Sequence, residues 1–323
     1  MQIHVNWMSK LRSYKWASLL AFLYFLFIAT ELSSTRIMVS ENGMYKIVML
    51  QEVTYISMIL IWLNILISVL GGFVFFITSW LDWRKKRFYP YMQTSVSKQD
   101  LLYAIAWMHL FNIFNLLIFG LDILPYPLFP AGSVGGIIES ASLQLFMFTF
   151  CLIWYWGRWQ AIGFVKPVEA WRVISTTLVL YLFILVALNY VIAPLAGLLQ
   201  LSLDSEREQG ITNEILSAKQ HSMTAVVLSF FITGVFVPIA EEMMFRGVIQ
   251  TRLVRVWGAF WGIILTSIWF AIIHVDLVLF LPLLTIGLAL GYMRHRFQSI
   301  WAPIILHCIN NLVSVANSYQ LFM

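Results

Sequence analysis

Residues 237 to 250 read VPIAEEMMFRGVIQ, with Glu241, Glu242 and Arg246 set between two apolar runs. Each such charge costs about 2.5–3.5 kcal/mol at a bilayer centre. It is tolerated only against an internal partner or a water-filled cavity, so it marks a functional site by default. Glu242 and Arg246 stand four apart with the acid first, the favourable order for a helical ion pair, and read as structural. Glu241 points about 100° away from Glu242 and has no partner on its own helix, so it turns toward a cavity. Three further polar groups interrupt apolar runs: His274, His307, and Asn310 with Asn311. His307 and Asn311 are four apart and share a helix face.

These residue types suit hydrolysis. A carboxylate can take a proton from water while an imidazole orients it, the roles expected of Glu241 and His274. A second imidazole and an amide, His307 and Asn311, can donate to the oxyanion formed as water attacks a peptide carbonyl. The same Glu241, His274 and His307 could equally be a His2Glu zinc site, with the metal acidifying its bound water. No HExxH occurs in the chain, so the common helix-borne zinc arrangement is absent. No cofactor is required by the pattern, and zinc stays open beside the metal-free route.

Such groups must be brought to one level by the elements that carry them. A hairpin near Trp257 and Gly258 places Glu241 level with His274 across two antiparallel helices. His307 lies about 16 Å along its helix from Arg296, and Glu241 about the same distance from Arg252, so both sit at similar depth below one basic surface.

The surroundings are a membrane. The chain has 323 residues, 61% hydrophobic and only 11% charged, with a mean hydropathy of +0.83. A soluble domain carries about 25% charged residues. Apolar runs of spanning length or near it cover 16–30, 55–80, 101–120, 140–156, 173–203, 222–250, 257–274, 277–293 and 300–322, predicting an all-α polytopic bundle of about eight to nine transmembrane helices around an intramembrane polar site. Residues 204–221 read as a solvated connection. With the N-terminus cytoplasmic, inner segments collect Lys10, Arg12, Lys15, the RKKR of 84–87, Lys98, Arg158, Lys166, Arg172, Arg252, Arg255, Arg294 and Arg296; outer ones hold Arg36, Lys46, Arg207 and Lys219. The net charge of +5 thus reads as topology and attraction to anionic lipid, with no nucleic-acid partner expected. The N-terminal apolar run reads as a retained signal-anchor. Cys151 and Cys308 fall within apolar runs outside any metal-ligand spacing and read as small core residues.

EEMMFR (241–246) fits EExxxR, FAIIH (270–274) fits FxxxH and HCINN (307–311) fits HxxxN. In that order they resemble the motifs of the CAAX prenyl endopeptidase and bacteriocin-processing (CPBP, or Abi) family of intramembrane proteases. The resemblance covers about 220–315. It implies a catalytic Glu241, His274 as its partner in activating water, and His307 with Asn311 on the oxyanion, while Glu242, Arg246 and Phe270 fill the remaining motif positions. It implies a membrane-associated or lipidated peptide or protein as substrate. A bacterial plasma membrane is the expected location. On this reading residues 1–172 form an N-terminal transmembrane region without an assigned role, and 173–323 carry the protease-like core.

Two other classes remain at this stage. A transporter also places charges at mid-membrane beside breaks such as Gly234, Pro238 and Pro282. It commonly shows paired halves, whereas here the ionisable residues crowd into the last third. A non-catalytic scaffold would keep the protease fold and hold a partner membrane protein.

Overall fold

The computed structural model describes residues 12–33, 35–39, 43–49, 55–84 and 95–320. Lys10 and residues 85–87, which carry part of the orientation expectation, lie outside them. The chain divides into two compact units, one of residues 1–34 and 50–123 and the other of residues 35–49 and 124–323.

The first unit comprises α1 (Arg12–Ser33), α2 (Tyr55–Arg84) and α3 (Lys98–Gly120). A capping box starts α3: the Asp100 amide donates to Ser97 Oγ at 3.1 Å and the Ser97 amide to Asp100 Oδ2 at 2.8 Å. Polar side chains that lipid would penalise are tied together inside. Ser13 Oγ donates to Asp82 Oδ2 at 2.5 Å and also meets the Tyr103 hydroxyl. Asn64 Nδ2 donates to the Leu23 carbonyl at 3.0 Å, and Ser68 joins Asn64 to His109. Outside, α2 presents Trp62, Leu66, Leu70, Phe73 and Phe76 as an exposed apolar face, as lipid contact requires.

In the second unit a short antiparallel hairpin, β1 (Thr35–Val39) with β2 (Tyr45–Met49), is pinned where Ser202 N donates to the Tyr45 carbonyl at 2.8 Å. Then follow α4 (Val134–Ser140), α5 (Ser142–Trp154), a 3-10 turn at Trp159–Ile162, α6 (Trp171–Ala187), α7 (Ala193–Leu198), α8 (Glu206–His221), α9 (Met223–Phe231), α10 (Val237–Glu242), α11 (Thr251–Ile272), α12 (Phe280–Phe297) and α13 (Trp301–Gln320). Residues 204–221 are therefore not a simple connection. Ser205 caps α8 by accepting from the Glu208 amide at 3.2 Å, and a serine N-cap suffices to start a helix in this polar stretch.

The all-α bundle expected from composition is the observed architecture. Helices long and apolar enough to cross a membrane are five among the described residues, or six if the 66° bend between α4 and α5 lies within one span. Part of the difference from eight to nine arises at 223–272, which is continuous in hydrogen bonding yet broken in backbone: Gly258 has φ 78° and ψ 171°. That is the reversal expected near Trp257. It is closed by Gly262, where a Cβ would come within 2.5 Å of the Val254 amide nitrogen.

Wide helical turns flank the acidic pair, at Ile232–Phe236 and Met243–Gln250. The first has a covalent cause. Pro238 has no N–H to give to the turn before it, and a widened turn accommodates the missing bond. The Val237 amide reaches back five residues to the Ile232 carbonyl, and in that register the Thr233 carbonyl faces a residue that cannot donate.

The hairpin supplies a test. Gly258→Ala is expected to cost about 1–3 kcal/mol through its left-handed φ, and Gly262→Ala to cost more because backbone must move. Thermal unfolding in detergent reads both, and a Gly262→Ala protein as stable as wild type would contradict the close approach.

Candidate active site

The hairpin register brings the site together. Phe245 and Phe270, level with each other by the same fold-back that makes Glu241 level with His274, meet edge to face at 5.2 Å between centroids. Around them Glu241, Glu242, Arg246, Phe270 and His307 are all buried.

Glu242 is the hub. Its Oε1 accepts from Arg246 Nη1 at 3.0 Å and from His307 Nδ1 at 2.9 Å. Arg246 also donates from Nη2 to the Gly287 carbonyl on α12 at 3.2 Å, and its guanidinium lies 4.5 Å from the centre of the Phe270 ring. One fully buried ion pair thereby joins four segments: the acidic helix, α11, α12 and α13. The ion pair expected between Glu242 and Arg246 is present.

Glu241 is separate from that pair. Its Oε1 accepts from Gln144 Nε2 on α5 at 3.1 Å, and its Oε2 stands 3.9 Å from His307 Nε2. His307 thus spans the two carboxylates, Nδ1 on Glu242 and Nε2 toward Glu241. That second distance is too long for a hydrogen bond but short enough for both groups to act on one reacting atom.

His274 is placed differently from the face-to-face meeting the register suggested. It shares no hydrogen bond or ion pair with Glu241. Because α11 ends at Ile272, His274 lies just past the helix, and its Nδ1 donates to the Phe270 carbonyl at 2.6 Å, one of the carbonyls a helix end leaves open. Its ring packs on Phe270 at 4.9 Å, and the same Phe270 lies 6.0 Å from His307, so one phenyl ring sets both imidazoles. The next residue, Val275, has φ 50°, a region that a β-branched side chain rarely adopts. Such strain clusters at functional sites.

Asn311 Nδ2 donates to the Thr233 carbonyl at 3.1 Å, the carbonyl that Pro238 leaves without a backbone donor. Its neighbour Asn310 donates to Asn311 Oδ1 at 3.3 Å. Pro238, the widened turn and the amide of α13 are thus parts of one arrangement.

Among the described residues no group of three His, Cys, Asp or Glu side chains is arranged to hold a metal ion, so Glu241, His274 and His307 do not form the ligand cluster considered above.

Residues 223–313 match the family described as type II CAAX prenyl endopeptidase Rce1-like. The chain carries an Rce1-like segment. Every motif residue from Glu241 to Asn311 lies within it. A 105-residue stretch, 32% of the chain, is 31% identical to a Bacillus subtilis (strain 168) protein named "Putative membrane peptidase YdiL", and covers 41% of that relative's length. No solved structure matches.

Two residues at the site escaped the sequence reading. Gln144 stands among apolar neighbours in SLQLFMF, a signal of the same kind as Glu241 but weaker because an amide carries no charge. Arg207 belongs to the stretch read as solvated. Asp276 and Glu241 both act on its charge, and nothing in the sequence pattern indicated that α8 would approach the site.

The division between the glutamates is testable. Arg246→Ala leaves a buried carboxylate unpaired and is expected to cost about 3–5 kcal/mol, seen as lost folded protein in membranes. Glu241→Gln keeps the Gln144 and His307 neighbourhood and is expected to leave the folded level near wild type. Equal losses in the two variants would contradict the assignment of separate roles.

Proposed function

We propose that this chain is an intramembrane endopeptidase that hydrolyses a peptide bond in a membrane-associated or lipidated substrate. The observation that carries the reading is Glu241: a buried carboxylate whose helix-mate Arg246 is taken by Glu242, and which faces His307 Nε2 at 3.9 Å. With Arg246 committed to Glu242, Glu241 is the carboxylate available to take a proton from water. The match to an endopeptidase family and to a relative named as a membrane peptidase supports the same reading.

In the proposed reaction a water molecule attacks the scissile carbonyl and gives its proton to Glu241. His274 directs Nε2 to that water, its Nδ1 proton being held by the Phe270 carbonyl. The resulting oxyanion takes hydrogen bonds from Asn311 Nδ2, which has a second hydrogen besides the one on Thr233, and from His307 Nε2 when the ring carries both protons. Collapse breaks the C–N bond, and Glu241 returns its proton to the departing amine. No acyl-enzyme forms, so Cys308 is a bystander. The motif residues correspond to those of the CPBP proteases. The membrane is proposed to be a bacterial plasma membrane with the N-terminus cytoplasmic.

Cleavage of membrane peptides by the purified protein, compared with its variants, tests the chemistry. Glu241→Gln and His274→Ala are expected to abolish turnover. Asn311→Ala is expected to lower kcat about 100- to 1000-fold with KM largely kept, as when one oxyanion donor is lost. Hydrolysis stopped by Cys308→Ser and retained by Glu241→Gln would overturn the reading.

Topology has its own test. Gln209 and His295 are both exposed. A cysteine at Gln209 is expected to react with a membrane-impermeant maleimide on intact cells, and one at His295 only after permeabilisation. The reverse pattern would invert the orientation.

A further inference from the structure

The N-terminus of α8 is fastened to the turn that carries His274. Ser205 Oγ donates to Asp276 Oδ2 at 2.6 Å, and Asp276 Oδ1 in turn accepts from the amides of Val278 and Leu279 at 2.9 and 3.3 Å. Farther along, Thr212 Oγ1 reaches Ser318 Oγ on α13 at 3.3 Å. The helix is therefore held at both the His274 turn and the helix of His307.

Two residues past the cap stands Arg207. Its side chain keeps solvent-accessible surface, yet protein surrounds it closely enough that burial lowers its pKa, while the charges of Glu241 and Asp276 raise it. Its charge also acts on His274. A guanidinium beside two carboxylates would ordinarily close on one of them, but Arg207 makes no ion pair or hydrogen bond with any described residue. Asp276 is already occupied by three donors, and Glu241 by Gln144. The five N–H groups of Arg207 remain uncommitted beside the turn that carries His274, in the planar arrangement that matches a carboxylate.

We propose that Arg207 is a substrate-binding residue that receives a carboxylate of the peptide, from either the chain terminus or an acidic side chain, and so selects acidic segments for the site. This rests on the endopeptidase reading. Arg207 takes no part in the bond-breaking step. It supplies a charge-assisted, two-pronged anchor that fixes the peptide relative to Glu241.

The test uses the full chain in lipid nanodiscs and binding rather than turnover. The probe is a fluorescent Leu/Ala membrane peptide whose outer tail ends in a carboxylate or an amide, each with or without one Glu. Wild type is expected to bind carboxylate-bearing tails about ten- to a hundredfold more tightly than the neutral tail, the range for a hydrogen bond to a charged group. The gain should shrink at high salt, since Arg207 is exposed. Arg207→Gln is expected to abolish the gain with an unchanged Tm, and Arg207→Lys to retain part of it. Preference for the free terminus alone or for the Glu alone identifies the source of the carboxylate. Equal binding of charged and neutral tails by wild type, failure to bind any tail, or a preference that survives in Arg207→Gln overturns the proposal. Hydrolysis is measured separately: a protein that prefers acidic tails but never cleaves them defeats the endopeptidase reading and leaves the carboxylate site standing.

Discussion

The buried pair of Glu242 and Arg246 is the constraint on which the rest of the site depends. A charge without a partner is not stable in this apolar setting, and a lone pair of charges gains little unless its remaining bonding capacity is also used. Here part of that capacity is spent on neighbours, while Glu242 Oε2 and Arg246 Nε stay without a hydrogen-bond partner among the described residues. Glu242 takes His307 from α13, and Arg246 takes the Gly287 carbonyl from α12 and the face of Phe270 from α11. The pair sets the spacing of four segments, and that spacing leaves Glu241 without a cation on its own helix.

A second constraint is covalent. Pro238 cannot donate, the helix before it widens, and the Thr233 carbonyl is released toward Asn311. The irregular backbone lies where other helices cover it, which is the condition for such a break at membrane depth. The strained Val275 does the same for His274 at the other end of the hairpin: the helix stops, and the imidazole turns back to bond its last turn.

Polarity in the second unit is accordingly graded. The charges of Glu242 and Arg246 are closed off, Glu241 is held by one amide and one imidazole, and Arg207 and Asp276 meet the solvent-accessible side. In the first unit, the bonds of Ser13, Asp82 and Tyr103, and of Asn64, Ser68 and His109, hold three helices together.

The sequence by itself determined the helical membrane class, because continuous apolar runs of helix-spanning length satisfy their backbone within lipid as helices. It also determined the ion pair of Glu242 and Arg246, a matter of one helical turn, and the reversal at Gly258, a matter of one residue's φ. Those are local properties. Only the tertiary structure decided that His307, and not His274, stands nearest Glu241, because a helix ending at Ile272 removes His274 from the face that periodicity assigned to it. Only the tertiary structure brought Gln144 and Arg207 to the site from 97 and 34 residues away along the chain. Periodicity fixes which residues share a face within one helix; which faces meet depends on how separate helices pack, and no spacing along a single chain segment encodes that.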